Sequence, residues 1–187
     1  MPDASPRIVQ QLVRDHRNMA GLLDVLREEL GRYRQTRHLD FEVLCRLIDY
    51  ILNFPQLRHH PREDLIFKRL GQTDPSMRQR MEQVLSEHGE LADLTRRLSA
   101  AIRNLWQEVE MPRHEFESLV ETYIATYRRH MHQEEETYFP LALMHLKPAE
   151  WAEIEAEAAS SGTDPLFGGK TDAEYQALHD RILRLAR

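Results

Sequence analysis

The fold of this chain is decided by residues 58–67, which read RHHPREDLIF, together with a partial copy at residues 129–135, RHMHQEE. Aligned on their first residue, both stretches read Arg-His, three variable residues, Glu and a further acid. A His and a Glu four residues apart lie on one face of an α-helix. Each copy can therefore direct an imidazole and a carboxylate toward one point, using His59 with Glu63 and His130 with Glu134.

A lone histidine precedes each copy in a similar setting. His16 lies 43 residues before His59, and His88 lies 42 residues before His130. Both fall on the apolar seams of their own predicted helices. A pattern of two histidines and one glutamate on two helices is thus written twice. Together the copies place four histidines and two glutamates on four helices, and they predict a two-metal site.

The competing interpretation is that these histidines are ordinary core residues. One histidine on an apolar stripe would fit it, but six inward polar residues at similar depth do not. A buried carboxylate without a partner is costly or becomes neutral, so a compensating cation is the better explanation.

The donor types restrict which metal is expected. Imidazole and carboxylate without thiolate suit iron, manganese or zinc rather than copper(I) or an iron–sulfur cluster, and calcium and magnesium prefer oxygen alone. Two carboxylates related by the repeat can bridge two ions, each capped by two histidines, and leave positions open for small ligands. We expect two iron ions, with manganese or zinc as alternatives.

Composition narrows the class of protein. The 187 residues suit one domain, and seven glycines with 30% charged residues favour helices. A net charge of −6 without a basic stripe argues against nucleic acid and anionic membranes as partners. The polar N-terminus, the absence of a transmembrane-length apolar run and the single cysteine, Cys45, predict a cytoplasmic protein without an intramolecular disulfide.

Caps, prolines and apolar seams predict four long helices. Short loops between them favour antiparallel neighbours, so we expect an all-α, up-down-up-down four-helix bundle over residues 1–146. The second helix contains Pro55 and Pro61 and is expected to be kinked or broken just before its motif. The predicted starts lie near Ser5-Pro6, Asp40, Asp74-Pro75 and after Met111-Pro112.

Residues 147–187 are expected to form a helical extension. A short helix follows Lys147-Pro148, and a capping box of Thr171 and Glu174 predicts a last helix. This extension is expected to pack against the bundle or against a second subunit of a homodimer.

The motifs in this order resemble those of hemerythrin-like (HHE) cation-binding domains, especially bacterial members. The resemblance rests on the strings HHPRED and HMHQEE followed by FP, and it covers residues 7 to about 145. It implies a four-helix bundle that holds a non-haem di-iron centre, oxo- or hydroxo-bridged. Carried over residue by residue, the metal ligands are His16, His59, Glu63, His88, His130 and Glu134.

The sequence departs from the oxygen carriers of that family at one position. They carry a second histidine four residues along the third helix, where this chain has Ala92. One iron would then be less saturated, which argues against simple reversible oxygen carriage.

Several neighbouring residues leave alternatives open. His60 with Asp64 and His132 with Glu136 have the same spacing as the preferred pairs. His60, Asp64 and Glu135 are then either hydrogen-bond partners of ligands or solvated residues, whereas His132 and Glu136 are expected at the surface. Tyr123 and Tyr127 are interpreted first as core aromatics and second as donors to a bound oxygen species.

The resulting function hypothesis is a cytoplasmic di-iron protein that binds or reacts with dioxygen, another diatomic ligand or peroxide. The family resemblance implies roles in oxygen, redox or nitric oxide sensing, stress response or iron handling. The alternative is a regulatory module in which metal occupancy controls conformation or partner docking. No residue pattern decides whether the protein is an enzyme.

Overall fold

The structure, a computed structural model, describes residues 5–159, 166–167 and 173–185. All regular elements in these ranges are helical. The α-helices are α1 (Arg7–Thr36), α2 (Phe41–Phe54), α3 (His60–Thr73), α4 (Arg78–Trp106), α5 (Arg113–Gln133), α6 (Phe139–His145), α7 (Pro148–Ala158) and α8 (Gln176–Leu185). Shorter 3₁₀ turns cover Pro75–Met77 and Ala173–Tyr175.

Four long bundle helices account for most of the chain. The first is α1, the second joins α2 and α3, the third is α4, and the fourth joins α5 and α6. α1 packs on α5, and α4 packs on α2, α3 and α5. Short connections between these elements make sequential helices antiparallel. The predicted all-α, up-down-up-down bundle is confirmed.

Local sequence explains where the helices begin. The Asp40 carboxylate accepts a hydrogen bond from the Val43 backbone N–H at 3.2 Å and caps α2 as predicted. The Asp74 carboxylate likewise accepts from the Ser76 N–H at 2.9 Å, at the start of a 3₁₀ turn that leads into α4. At the N-terminus, Pro6 rather than Ser5 is the N-cap of α1, one residue later than expected.

The prolines of the second bundle helix widen the helix instead of breaking it. Residues Pro55–His59 form a π-helical turn, closed by a hydrogen bond from the His60 N–H to the Pro55 carbonyl. Pro61 has no N–H, and a proline ring clashes with the carbonyl four residues earlier, so a wide turn relieves the conflict. The expected break is thus a π turn.

The fourth bundle helix contains a second π turn that the sequence did not reveal. It spans Glu134–Tyr138 and is closed by the Phe139 N–H bonded to the Glu134 carbonyl. Pro140 lies two residues after this turn, as Pro61 lies two residues after the first turn. π turns inside α-helices frequently occur at functional sites.

The bundle interior consists of two apolar clusters with a polar layer between them. The larger cluster includes Leu23 and Leu26 of α1 and Leu98 of α4, and the smaller includes Leu12 of α1 and Phe67 of α3. The layer contains buried histidines and glutamates carried by all four bundle helices. The fold therefore surrounds a polar centre with apolar side chains on both sides.

The C-terminal extension contacts the bundle of its own chain. α7 packs on α3 and α1, with Arg69 bonded to Glu153 at 2.7 Å. α8 packs on α1 and α2, and Ile182 lies so close to Gly21 that a Cβ there would be 2.9 Å from Ile182 Cγ2. The division at residue 146 stays a prediction.

In the predicted capping box, Thr171 and the side chain of Glu174 lie outside the part of the chain that the structure describes. Among the helices that it does describe, none combines the length and the apolar character needed to cross a membrane.

Candidate metal centre

The structure brings together all six residues that the sequence predicted as ligands. Each lies in the polar layer, and His88, the most accessible of them, is only 8% exposed. His16 follows Leu12 on the inward stripe of α1, and His88 follows Val84 on that of α4. Regular helical spacing therefore positions both lone histidines. The six residues are His16, His59, Glu63, His88, His130 and Glu134.

The two carboxylate oxygens of Glu63 face different histidines. Its Oε1 lies 3.1 Å from His16 Nε2 and 3.0 Å from His59 Nε2. Its Oε2 lies 3.6 Å from His88 Nε2. One carboxylate thus faces histidines of three bundle helices.

The two carboxylate oxygens of Glu134 also face different histidines, with the pair of contacts now on His88 and His130. Its Oε1 lies 3.4 Å from His88 Nε2 and 3.3 Å from His130 Nε2. Its Oε2 lies 3.3 Å from His16 Nε2. The layer therefore has two sides, His16 with His59 and His88 with His130, and each glutamate offers one oxygen to each side.

These donors fit metal ions. Two ligands bound at about 2.1 Å to one ion are roughly 3.0–3.4 Å apart at tetrahedral or octahedral angles, which matches most of these N–O distances. In the part of the chain that the structure describes, five buried polar atoms of the layer have no hydrogen-bond partner. They are His59 Nε2, His60 Nδ1, Glu63 Oε2, His130 Nε2 and Glu134 Oε2. Orphaned buried atoms of this kind are rare unless something binds them.

His60 is a seventh member that the preferred pairing left out. It is 4% exposed, and its ring stacks on that of His88 with centroids 4.4 Å apart. Donor atoms of His60, Glu63, His88 and His130 lie within 4.8 Å of one another, as do those of His16, His59 and Glu63. The structure thus places His60 inside the layer, on the side where Ala92 offers no imidazole.

The two consecutive histidines, His59 and His60, are the sequence feature that could have indicated this seventh residue. Consecutive residues of a regular α-helix point about 100° apart, so both are not expected to face inward. Here His59 ends the π turn and His60 begins α3, and the altered helical phase brings both rings into the layer.

Each histidine of the four-helix pattern also contacts an outer carboxylate through Nδ1. Asp64 and Glu135, which the sequence left open, contact His88 at 2.8 Å and His16 at 2.9 Å. Two others were not anticipated, although each adjoins a ligand in sequence: Asp15 lies 3.3 Å from His59, and Glu87 lies 3.1 Å from His130. As expected, His132 and Glu136 are exposed.

The two tyrosines are core residues, as first interpreted. Tyr123 and Tyr127 are 0% and 1% exposed, and burial raises the pKa of both phenols. Tyr127 Oη lies 3.4 Å from His60 Nε2, at the edge of the layer, whereas Tyr123 Oη lies 3.3 Å from Thr95 Oγ1.

Electrostatics among the residues of the layer favour imidazolium–carboxylate pairs. Burial alone would lower the pKa of His88, but hydrogen bonds with Asp64 and Glu134 outweigh it and raise that pKa to about 10. The pKa of His16 is also raised against the effect of burial. Burial would raise the pKa of Glu63, yet His59 and His16 hold it well below its usual value. Burial and neighbouring imidazoles lower the pKa of His60.

A helical bundle with a buried imidazole–carboxylate layer defines this chain as a cation-binding protein of the four-helix class. The family model described as the hemerythrin HHE cation-binding domain matches residues 7–142. The chain belongs to that family. Neither a curated protein nor a solved structure matches it.

Proposed function

We propose that the layer binds two metal ions. His16 and His59 would hold one, His88, His130 and His60 would hold the other, and Glu63 and Glu134 would bridge them. The observation that carries this proposal is the division of both carboxylates, each with one oxygen toward either histidine pair. A single closed site would not need donors arranged on two sides.

Iron is the metal that we propose for both positions. The layer offers nitrogen and oxygen donors, and the single cysteine, Cys45, is a free thiol outside the clusters found among the described residues. This donor set suits iron, with manganese or zinc as alternatives. A pair of iron ions would supply electron-transfer chemistry toward dioxygen, nitric oxide or peroxide.

The residues around the layer would control the access of water and of small ligands to the ions. Apolar side chains, Phe67 and Phe139 among them, cover one side, with ring centroids 6.1 Å apart. They would keep bulk water from the ions. The side of His16 and His59 has one imidazole fewer than the opposite side, so a small ligand is expected to bind there. A reducing cytoplasm suits the free thiol of Cys45.

Metal content and absorption spectra test this proposal. Protein purified in air should contain about two irons per chain and show iron charge-transfer bands that vanish on anaerobic reduction and return with oxygen. His88→Ala should lose iron, whereas alanine at the exposed His132 should keep it. Zinc alone, or iron with a spectrum indifferent to oxygen, would refute oxygen chemistry.

A regulatory module is the second candidate function. Its support is the contact of α7 with α3, the helix that carries His60 and Glu63. Thr73 of α3 bonds Glu150 at 2.7 Å, and Trp151 is buried in the same apolar cluster as Phe67. Metal binding could therefore change how α7 docks. Hydrogen exchange of residues 148–158 should then differ between metal-free and metal-loaded protein, and unchanged exchange would exclude this function.

A further inference from the structure

The outer carboxylates of the metal centre form a closed ring around the bundle. Every one of them is the sequence neighbour of a proposed ligand on its own helix and contacts a ligand on the next helix. The contacts run from helix one to two, two to three, three to four and four to one. They are Asp15 to His59, Asp64 to His88, Glu87 to His130 and Glu135 to His16.

This ring fixes the tautomer of four histidines. An ionised carboxylate only accepts hydrogen bonds, so each Nδ1–H must donate to it. In the neutral imidazole that binds a metal ion, Nε2 then carries the lone pair and faces the layer, where Glu63 and Glu134 lie. An imidazole that donates to a carboxylate is also a stronger metal ligand.

His60 shows that the ring is specific to the four-helix pattern. Within the described residues its Nδ1 has no hydrogen-bond partner, and its Nε2 lies near the Tyr127 hydroxyl rather than a carboxylate. Its tautomer is therefore not fixed by a charged acceptor.

We propose that Asp15, Asp64, Glu87 and Glu135 are positioning residues whose negative charge strengthens metal binding at both sides of the layer. This inference rests on the proposed metal centre and adds four residues to it. The carboxylates are between 9% and 37% exposed, so part of their charge is shielded from water.

Basic side chains on the outer face lie close to three of these carboxylates. Lys68 Nζ lies 3.3 Å from Asp64, and Arg17 and Arg129 bring positive charge near Glu135 and Glu87. The alternative role of the ring is only structural, because the same contacts also join neighbouring helices. That role would affect the stability of the metal-free fold and leave metal affinity unchanged.

Glutamine substitutions separate the two roles. Glu135→Gln and Glu87→Gln keep an acceptor oxygen for Nδ1 but remove the charge. Their matched controls are Glu136→Gln and Glu90→Gln, at exposed positions close by in sequence. The full-length chain, freed of metal by a chelator, is titrated with cobalt(II) under anaerobic conditions and followed by visible absorbance. Thermal unfolding of each metal-free variant is measured alongside.

We expect each ring variant to bind cobalt(II) about 10–100-fold more weakly than the unmodified chain, with the controls unchanged. Glu135→Gln should mainly weaken the ion on the His16 side and Glu87→Gln the ion on the His130 side. If both variants bind two cobalt ions as the unmodified chain does, the ring inference is overturned while the metal centre stands. If the unmodified chain binds no cobalt, both proposals fail.

Discussion

Replacing His60 with leucine should have opposite effects on the metal-free and metal-loaded protein. In the metal-free protein, His60 is a buried polar side chain whose Nδ1 lacks a partner among the described residues. Such a group costs about 1–3 kcal/mol. His60→Leu removes that cost. It loses the 3.4 Å contact with the Tyr127 hydroxyl and the contacts of the imidazole with neighbouring aromatic rings, of which the stacking on His88 is the closest. The metal-free protein should gain up to about 2 kcal/mol.

The metal-loaded protein should lose stability through the same substitution. Four-ligand structural zinc sites bind with about 10–16 kcal/mol, which is roughly 3 kcal/mol per ligand. Loss of the His60 ligand should therefore weaken binding of the ion beside His88 and His130 by about that amount. Ligand binding to the native state adds directly to its stability, so the loss appears in the unfolding free energy.

Urea unfolding with chelator and with saturating metal measures both effects. His60→Leu should shift the midpoint upward in chelator and downward in metal. Tyr127→Phe is the matched control, because it removes the neighbouring hydroxyl without removing a proposed ligand, and its two shifts should be equal. If His60→Leu also shifts both midpoints equally, His60 is a core residue and not a ligand.

Three further predictions follow from single features. Metal-free protein should lose stability as the pH rises from about 6.5 to about 10. Folding raises the pKa of His88 from 6.5 to about 10, so its protonation stabilises the fold fully below pH 6.5, and this contribution is lost as the pH rises through the folded-state pKa. Urea midpoints measured across this range check it. Arg181→Ala should cost on the order of 3 kcal/mol, since it leaves Glu29 buried without its Arg181 partner, whereas alanine at the exposed Arg184 should cost little in thermal unfolding. Phe67→Ala, at 0% exposure, should cost about 3–5 kcal/mol, and an unchanged denaturation midpoint would contradict the packing described.

The sequence predicted most of the metal centre because helical periodicity is a local property. His16 and His88 replace apolar residues on seams with regular spacing, so their inward direction follows from the chain itself. The pairs of His59 with Glu63 and His130 with Glu134 follow from the same four-residue rule. A bundle of antiparallel helices then brings these positions to one level.

The remaining residues depend on geometry that local spacing does not contain. His60 faces the layer because a π turn changes the phase of its helix, and Pro61 marks the place without specifying the turn. Asp15 and Glu87 contact histidines on neighbouring helices, and those contacts depend on the rotation of each helix about its axis. Neighbouring sequence positions showed that these acids were close to ligands, but not which histidine each would meet.

The same layer explains how the bundle can exist without metal and why it should still bind metal strongly. In the metal-free protein, protonated His16 and His88 face Glu63 and Glu134, so protons supply the positive charge that buried carboxylates require. Protons satisfy this requirement only in part, because carboxylate and imidazole atoms of the layer still lack partners in the described chain. Metal ions would replace the protons and bind those atoms as well. Metal binding must then release protons, and the metal-free fold is the protonated competitor of the metal-loaded one.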